Sequence, residues 1–117
     1  MFLSNYERDL LSLTVSMEMD TIESILTKNE MANELPEESI TRFENGLLVL
    51  SITLRKINTY HIVEFDEEQS YHIRHAIALH LRALMEALLS DEPMTDEDCN
   101  ALSDAVNTLL FLHKRLQ

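Results

Sequence analysis

The sequence predicts an all-α fold, an up-down-up-down four-helix bundle, from its composition, its periodicity and its helix caps. Glycine occurs once and proline twice in 117 residues, which disfavours turn-rich sheet folds. Apolar residues recur at spacings of three and four in four successive segments, separated by short polar connections. With 45% hydrophobic residues, the chain is expected to form a single helical-bundle domain over residues 1–117.

The first two helices are predicted over residues 4–28 and 36–61. Ser4 and Glu7 have the spacing of a capping box at the start of the first helix. The predicted core stripe of this helix consists of Tyr6, Leu10, Leu13 and Met17. The stripe of the second helix is the most regular in the chain and consists of Ile40, Phe43, Leu47, Leu50, Leu54, Ile57 and His61. Leu48, Val49 and Ile52 lie off that stripe and require another cover. Either the third helix packs on them within the monomer, or a second copy covers them in a homodimer through helices one and two.

The last two helices are predicted over residues 67–89 and 96–116. Asp66 and Gln69 have cap-and-return spacing before the third helix, and Thr95 or Asp96 is the expected N-cap of the fourth. The stripe of the third helix consists of Ile73, Ile77, His80, Leu84 and Leu88, thickened by Leu81 and Met85. The stripe of the fourth consists of Cys99, Leu102, Val106, Leu109, His113 and Leu116. We therefore expect Cys99 to be buried and unreactive.

The charge balance excludes several classes of partner. Nine basic residues oppose 21 acidic ones, giving a net charge of −12, which would repel nucleic acid and anionic membranes. The apolar runs are too short to span a bilayer. A lone cysteine and the absence of a recognisable N-terminal signal favour a reducing cytoplasm. A basic protein is the partner that this charge favours.

The acidic residues suggest a binding surface, because the first and third connections of an up-down-up-down bundle lie at the same end. Nine carboxylates are expected there: Glu30, Glu34, Glu37, Glu38, Asp91, Glu92, Asp96, Glu97 and Asp98. Acids in a first helical turn also complement the helix dipole by about 0.3–1 kcal/mol each, which explains five of them without any partner. The other four crowd the same end. Leu35 and Met94 lie among the acids as candidate apolar anchors.

No residue set predicts a metal site or a cofactor. One glycine cannot form a phosphate-binding loop. His61, His80 and His113 lie on apolar stripes, which is typical of histidines hydrogen-bonded within a bundle. Glu68, His72 and His75 share one helix face, but di-iron bundles use Glu-x-x-His pairs on several helices. Glu64 and Glu67 are half of a paired-carboxylate motif without a second half. We therefore expect no metal and no cofactor.

One short stretch has a family resemblance. "RHAIALH", from Arg74 to His80, resembles the R-x(4–6)-H signature of HEPN-type ribonucleases, including the polar residue directly after the arginine. The resemblance implies a small helical bundle whose Arg74 and His80 form a catalytic pair across a homodimer cleft, with His75 in support. On one straight helix, positions six apart differ by about 120° in direction, so only a dimer would unite the two side chains.

Three function classes follow from these features. Small size, strong acidity, helical structure and the lack of a catalytic set resemble toxin immunity proteins, antitoxins and nucleic-acid-mimicking inhibitors, which occupy a basic surface such as that of a nuclease or a nucleic-acid-binding protein. The alternative is a HEPN-like ribonuclease that uses Arg74 and His80. A third class is a helical scaffold or adaptor that binds through the apolar arc of the second helix. The first class, which is not enzymatic, is the one we expect.

Overall fold

The computed structural model describes residues 1–117 and contains four α-helices. They are α1 (Asn5–Ala32), α2 (Glu37–Thr59), α3 (Glu67–Leu88) and α4 (Asp96–Arg115). The predicted all-α four-helix bundle is confirmed, and every predicted helix end lies within four residues of the observed one. The β-branched stretch within α2 is helical, as its periodicity indicates. None of the four helices is both long enough and apolar enough to cross a membrane.

Side-chain caps fix where three of the helices begin. The Ser4 hydroxyl accepts a hydrogen bond from the Glu7 amide at 3.1 Å, and the Glu7 carboxylate accepts one from the Ser4 amide at 2.8 Å. Asp66 and Gln69 form the same reciprocal box before α3, at 2.7 and 3.0 Å. Thr95 caps α4. Because each cap satisfies amides that the helix leaves free, it stabilises the helix start by about 1 kcal/mol.

α1 is the central helix. It packs against α2, α3 and α4, whereas α2 and α4 do not contact each other. α1 and α2 form an antiparallel hairpin, in which the Ser12 hydroxyl donates to the Asn58 side chain at 2.9 Å. α3 and α4 form a second hairpin, in which Arg74 near the start of α3 donates to the Leu116 carbonyl just beyond α4. The bundle therefore consists of two hairpins joined mainly through α1.

The second hairpin crosses the first steeply instead of running beside it. Asn45 donates to Glu68 at 3.2 Å, and Lys56 donates to Gln69 at 2.9 Å. The two α2 residues are 11 positions apart, which is about 16 Å along a helix, whereas their two α3 partners are adjacent in sequence. Helices lying side by side would have partners that are similarly spaced on both. α3 therefore crosses α2 at a large angle.

Across this crossing, α1 and α3 run in opposite senses. The Thr14 hydroxyl lies 2.7 Å from Nδ1 of His80. Further along α1, Ile22 lies near His72, an earlier residue of α3. Both side chains approach Gly46 of α2, where a β-carbon would lie 3.9 Å from Ile22 Cδ1 and 3.4 Å from His72 Cε1. Residue numbers thus rise along α1 while they fall along α3. Beyond His80, α3 therefore continues in the sense opposite to that of α1.

The crossing confines the core to the centre of the molecule. Only 20 of 117 residues are buried, and none lies between Ile22 and Gly46 or between Leu81 and Leu109. We call residues 23–45 the first arm and residues 83–108, which follow the exposed Arg82, the second arm. The molecule measures 45 × 39 × 22 Å with a radius of gyration of 15.7 Å, against about 13 Å for an average domain of this length. The arms account for this extra extension.

The core stripe predicted for α1 is wrong in part. Leu10 is buried as expected, but Tyr6, Leu13 and Met17 are 50%, 52% and 40% exposed. The buried face consists of Leu10, Leu11, Thr14, Val15 and Ile22. Because α1 contacts three helices, its buried arc is centred near Leu11, and the predicted stripe lies along one edge of that arc.

The extra apolar residues of α2 are not covered within the chain. Leu48 is 60% exposed and Ile52 is 47% exposed, while Val49 is half-buried. The alternative that α3 covers all three is therefore wrong. The steep crossing is the reason, because the hydrogen bonds from α2 to α3 reach only Glu68 and Gln69 in the first turn of α3.

Arg8 joins the start of α1 to the end of α2, and its replacement tests this connection. Its guanidinium donates to the carbonyls of Ile57, Tyr60 and His61 at the end of α2. Arg8→Met should lower the free energy of unfolding by about 2 kcal/mol, since these are hydrogen bonds from a charged donor. Arg82→Met, at an exposed position without such bonds, is the control and should change it by less than about 0.5 kcal/mol. Equal effects in urea denaturation would contradict the proposed role of Arg8.

Candidate partner-binding surface

The structure places the predicted binding residues in two separate groups. Glu30, Glu34, Leu35, Glu37 and Glu38 lie on the first arm. Asp91, Glu92, Met94, Asp96, Glu97 and Asp98 lie on the second arm. All nine carboxylates and Met94 are exposed, and Leu35 is half-buried.

The expectation that both groups share one end of the bundle is wrong. Thr14 and His80 are in contact. From there α1 continues for 18 residues to Ala32, about 27 Å, whereas α3 continues toward the opposite end of α1. The ends of the two hairpins are therefore separated by more than about 25 Å. The prediction required four helix axes side by side, and the crossing removes that alignment.

The second arm has the more extreme charge. It contains seven acidic residues and no basic residue: Glu86, Asp91, Glu92, Asp96, Glu97, Asp98 and Asp104. The run without Lys, Arg or His extends from residue 83 to residue 112. Every residue from 91 to 101 is exposed. The second arm is therefore a continuous anionic surface without a compensating charge of its own.

Local hydrogen bonds hold the tip of the second arm in a defined shape. The Ser90 hydroxyl accepts from the Glu92 amide at 3.2 Å, and the Thr95 hydroxyl accepts from the Asp98 amide at 3.1 Å. Asp96, the first residue of α4, and the two residues after it lie in the first turn, where carboxylates complement the helix dipole. The acids are thus presented by an ordered turn and helix start, which lowers the entropy lost when a partner binds.

Apolar side chains lie among these acids. Leu89 is 82% exposed and Met94 is 38% exposed, and both lie in the connection between α3 and α4. Met94 also borders a shallow groove with Pro93, Asp98, Ala101 and Leu102. The sequence predicts Met94 as an anchor but not Leu89. The signal for Leu89 is its position directly before Ser90, at the end of the apolar pattern of α3. The second arm combines apolar centres with an acidic rim, as protein interfaces do.

The first arm is less suited to a cationic partner. Lys28 and Arg42 lie on it and partly offset its acids. Its connection is ordered by Asn29, whose side chain accepts from the Leu35 amide at 2.7 Å. Leu35, with Ile25, lines a shallow groove that also includes Lys28. The predicted anchor Leu35 therefore packs partly against its own arm.

The arm carboxylates have no ion-pair partner within the chain. Two ion pairs occur, Glu7 with Arg115 at 3.5 Å and Glu18 with His75 at 4.0 Å, and neither includes an arm residue. The charges of the arms are therefore fully available to an external cation.

Cys99 is exposed, so its predicted burial is wrong. It lies on the apolar stripe of α4, but this part of α4 extends beyond the core. The first buried residue of the helix is Leu109. A stripe marks the face that a helix would bury, and it does not show how far along the helix a neighbour reaches.

Arg74 and His80 are directed to different helices. Arg74 donates to the Leu116 carbonyl beyond α4 at 3.5 Å, and His80 contacts Thr14 of α1. His80 is only 7% exposed. The pair that the ribonuclease resemblance implies is thus not assembled on an open surface of the chain. The prediction that His80 is hydrogen-bonded within the bundle is confirmed, whereas His61 is exposed and packs edge-on against Phe2.

The remaining titratable residues of interest lie where α1 meets α3. Burial raises the pKa of Glu18, and neighbouring His75 acts in the opposite direction. Burial lowers the pKa of His72, while Glu68 raises it and His75 lowers it further. No group of three or more His, Cys, Asp or Glu side chains is arranged to hold a metal ion. These residues belong to the helix crossing.

No protein-family model, curated protein or solved structure matches the chain.

The crossing predicts a pH dependence of stability. Burial lowers the pKa of His80, so the unfolded chain, with a histidine pKa of about 6.5, binds the proton more readily than the folded chain. The contribution of neutral His80 to the free energy of unfolding is complete above about pH 6.5, and it declines as the pH falls below that value. His80→Asn retains a hydrogen-bonding atom near Nδ1 without titrating.

The melting temperature of the wild type should therefore fall more between about pH 7.5 and 5.5 than that of His80→Asn. Both proteins retain Glu18 and His72, so the difference reports on His80 alone. Exposed His61→Asn is the control and should follow the wild-type profile. Identical profiles for the wild type and His80→Asn would show that His80 does not contribute to the pH dependence.

Proposed function

We propose that the protein is a small acidic binding protein that occupies a basic surface of a protein partner with its second arm. Its type would be that of a toxin immunity protein, an antitoxin or a nucleic-acid-mimicking inhibitor, without enzymatic activity. The observation that carries the proposal is an exposed arm with seven acidic residues, no basic residue and three large exposed apolar side chains, Met85, Leu89 and Met94. A reducing cytoplasm is the compartment we propose for this role.

The charge of the arm supports a role in encounter. A surface of uniform sign accelerates association with an oppositely charged partner, and the effect declines as salt screens it. Nucleases and nucleic-acid-binding proteins present cationic grooves that bind phosphates. Carboxylates that enter such a groove would compete with nucleic acid for the same lysines and arginines. The partner class we propose is thus a protein with a phosphate-binding groove.

The apolar residues of the arm support a role in retention. Rim charges alter mainly the association rate, whereas buried apolar anchors at the centre of an interface contribute most of the affinity. Met94 is placed for this between the acids of the connection and those of α4, and Leu89 lies between Glu86 and Asp91. Their exposure costs little in a free protein of net charge −12, because that charge keeps the chain soluble.

A charge-neutralised arm tests the proposal by co-purification from the source organism's lysate. The test variant changes Asp91, Glu92, Asp96, Glu97 and Asp98 to Asn or Gln. The control variant neutralises five exposed acids outside the second arm: Asp9, Asp20, Glu23, Glu64 and Glu67. Both variants lose five charges, so they differ only in where the charge is removed. Far-ultraviolet circular dichroism verifies that both remain helical.

The wild type and the control should capture a basic protein at low salt and release it at high salt. The arm variant should bind that protein at least about tenfold more weakly, since several charge pairs are lost at once. The captured protein should also lose affinity for nucleic acid when the wild type is added. Equal capture by both variants, or capture unaffected by salt, would refute the proposal.

A further inference from the structure

We propose that the outer face of α2 forms an antiparallel twofold interface with a second copy of this chain. Exposed residues recur on this face at alternating spacings of four and three: Thr41, Asn45, Leu48, Ile52, Arg55 and Thr59. This is a heptad stripe, the pattern by which two helices pack together. It lies opposite the face that α2 buries through Leu50 and Ile57. α2 therefore has one stripe for its own core and a second whose central residues Leu48, Ile52 and Arg55 no helix of the chain covers.

Charge selects a second copy as the occupant. Glu44 lies beside the stripe, on the same edge of α2 as Arg55. Both residues are exposed without an ion-pair partner in the chain. They are 11 positions apart, about 16 Å along the helix, which is too far for them to pair with each other. The midpoint between them lies within one residue of the midpoint between Leu48 and Ile52. An antiparallel twofold axis at that midpoint brings Glu44 of each copy to Arg55 of the other.

The same axis pairs the apolar residues. Leu48 of one copy meets Ile52 of the second copy, so four exposed side chains form a shared apolar centre between the two Glu44–Arg55 pairs. A parallel arrangement would place Glu44 level with Glu44 and Arg55 level with Arg55, and it would lose both pairs. The two ion pairs and the shared apolar centre therefore favour the antiparallel arrangement.

The overall charge does not oppose this contact locally. Two copies of net charge −12 repel each other at long range. Between Thr41 and Thr59, however, α2 carries three basic residues and one acidic residue, the reverse of the chain's balance. One helix pair buries less than the roughly 800 Å² per partner of a standard interface, so we expect a reversible, concentration-dependent dimer.

Sedimentation equilibrium over a concentration series tests the interface. The wild type should approach twice its monomer mass of 13.6 kDa as its concentration rises. The variant with Leu48→Glu and Ile52→Glu should remain monomeric and helical, since both positions are exposed. Leu110→Glu, at a 52% exposed position of α4, is the matched control and should dimerise like the wild type. A monomeric wild type, a dimeric Leu48/Ile52 variant or a monomeric control would each overturn the proposal.

A charge exchange tests the orientation. Arg55→Glu should weaken the dimer about tenfold, because it replaces two attractions with two repulsions. Adding Glu44→Arg should restore the dimer dissociation constant of the wild type, because both ion pairs re-form with their charges exchanged. If the double variant is no stronger than the single one, the antiparallel register is wrong. The arm-neutralised protein should dimerise normally, because α4 does not contact α2, so this proposal and the proposed function can fail separately.

Discussion

The crossing of the second hairpin over the first is the constraint on which the rest of the structure depends. Thr14 and His80 meet there inside the core, and Gly46 of α2 lies beside Ile22 and His72 on the same side. Helices of 20 to 28 residues are longer than the region in which crossed hairpins can cover one another. The core is therefore central, and both hairpin ends extend beyond it. The exposed arms are a direct consequence of the crossing angle.

The arms explain how a small domain tolerates such an uneven charge. Carboxylates on an uncovered hairpin end remain solvated, so they avoid the cost of burying an unpaired charge. The second arm concentrates acids at the start of α4, where the helix dipole favours them, and leaves Leu89 and Met94 exposed nearby. Meanwhile the positively biased part of α2 lies in a different region of the molecule. The proposed partner surface and the proposed dimer surface thus lie on different helices.

Local signals in the sequence predict the helices well because they act over a few residues. The Ser4–Glu7 and Asp66–Gln69 capping boxes and the Thr95 cap mark helix starts that the structure reproduces. The angle between hairpins is a tertiary property, and connections of a few residues do not determine it. For this reason the predicted core stripe of α1 was wrong in part, and the predicted burial of Cys99 was wrong. Both depend on where neighbouring helices lie.

The candidate surface was predictable in its residues but not in its shape. The acids of both connections and Met94 are visible in the sequence, and all are exposed. Their separation onto two arms follows from the crossing, which periodicity does not report. Leu89 could have been found from the end of the apolar pattern before Ser90. The sequence thus identifies the charged segments, and the packing of α3 on α1 decides that they act as two surfaces.

The distance between the two arms tests the crossed arrangement most directly. Native Cys99 on the second arm and an introduced Glu34→Cys on the first can each carry a nitroxide label, because both positions are exposed. Pulsed electron paramagnetic resonance should give a main distance beyond about 25 Å, as the crossing requires. A main distance below about 20 Å would place both connections at one end of a side-by-side bundle and contradict the crossing.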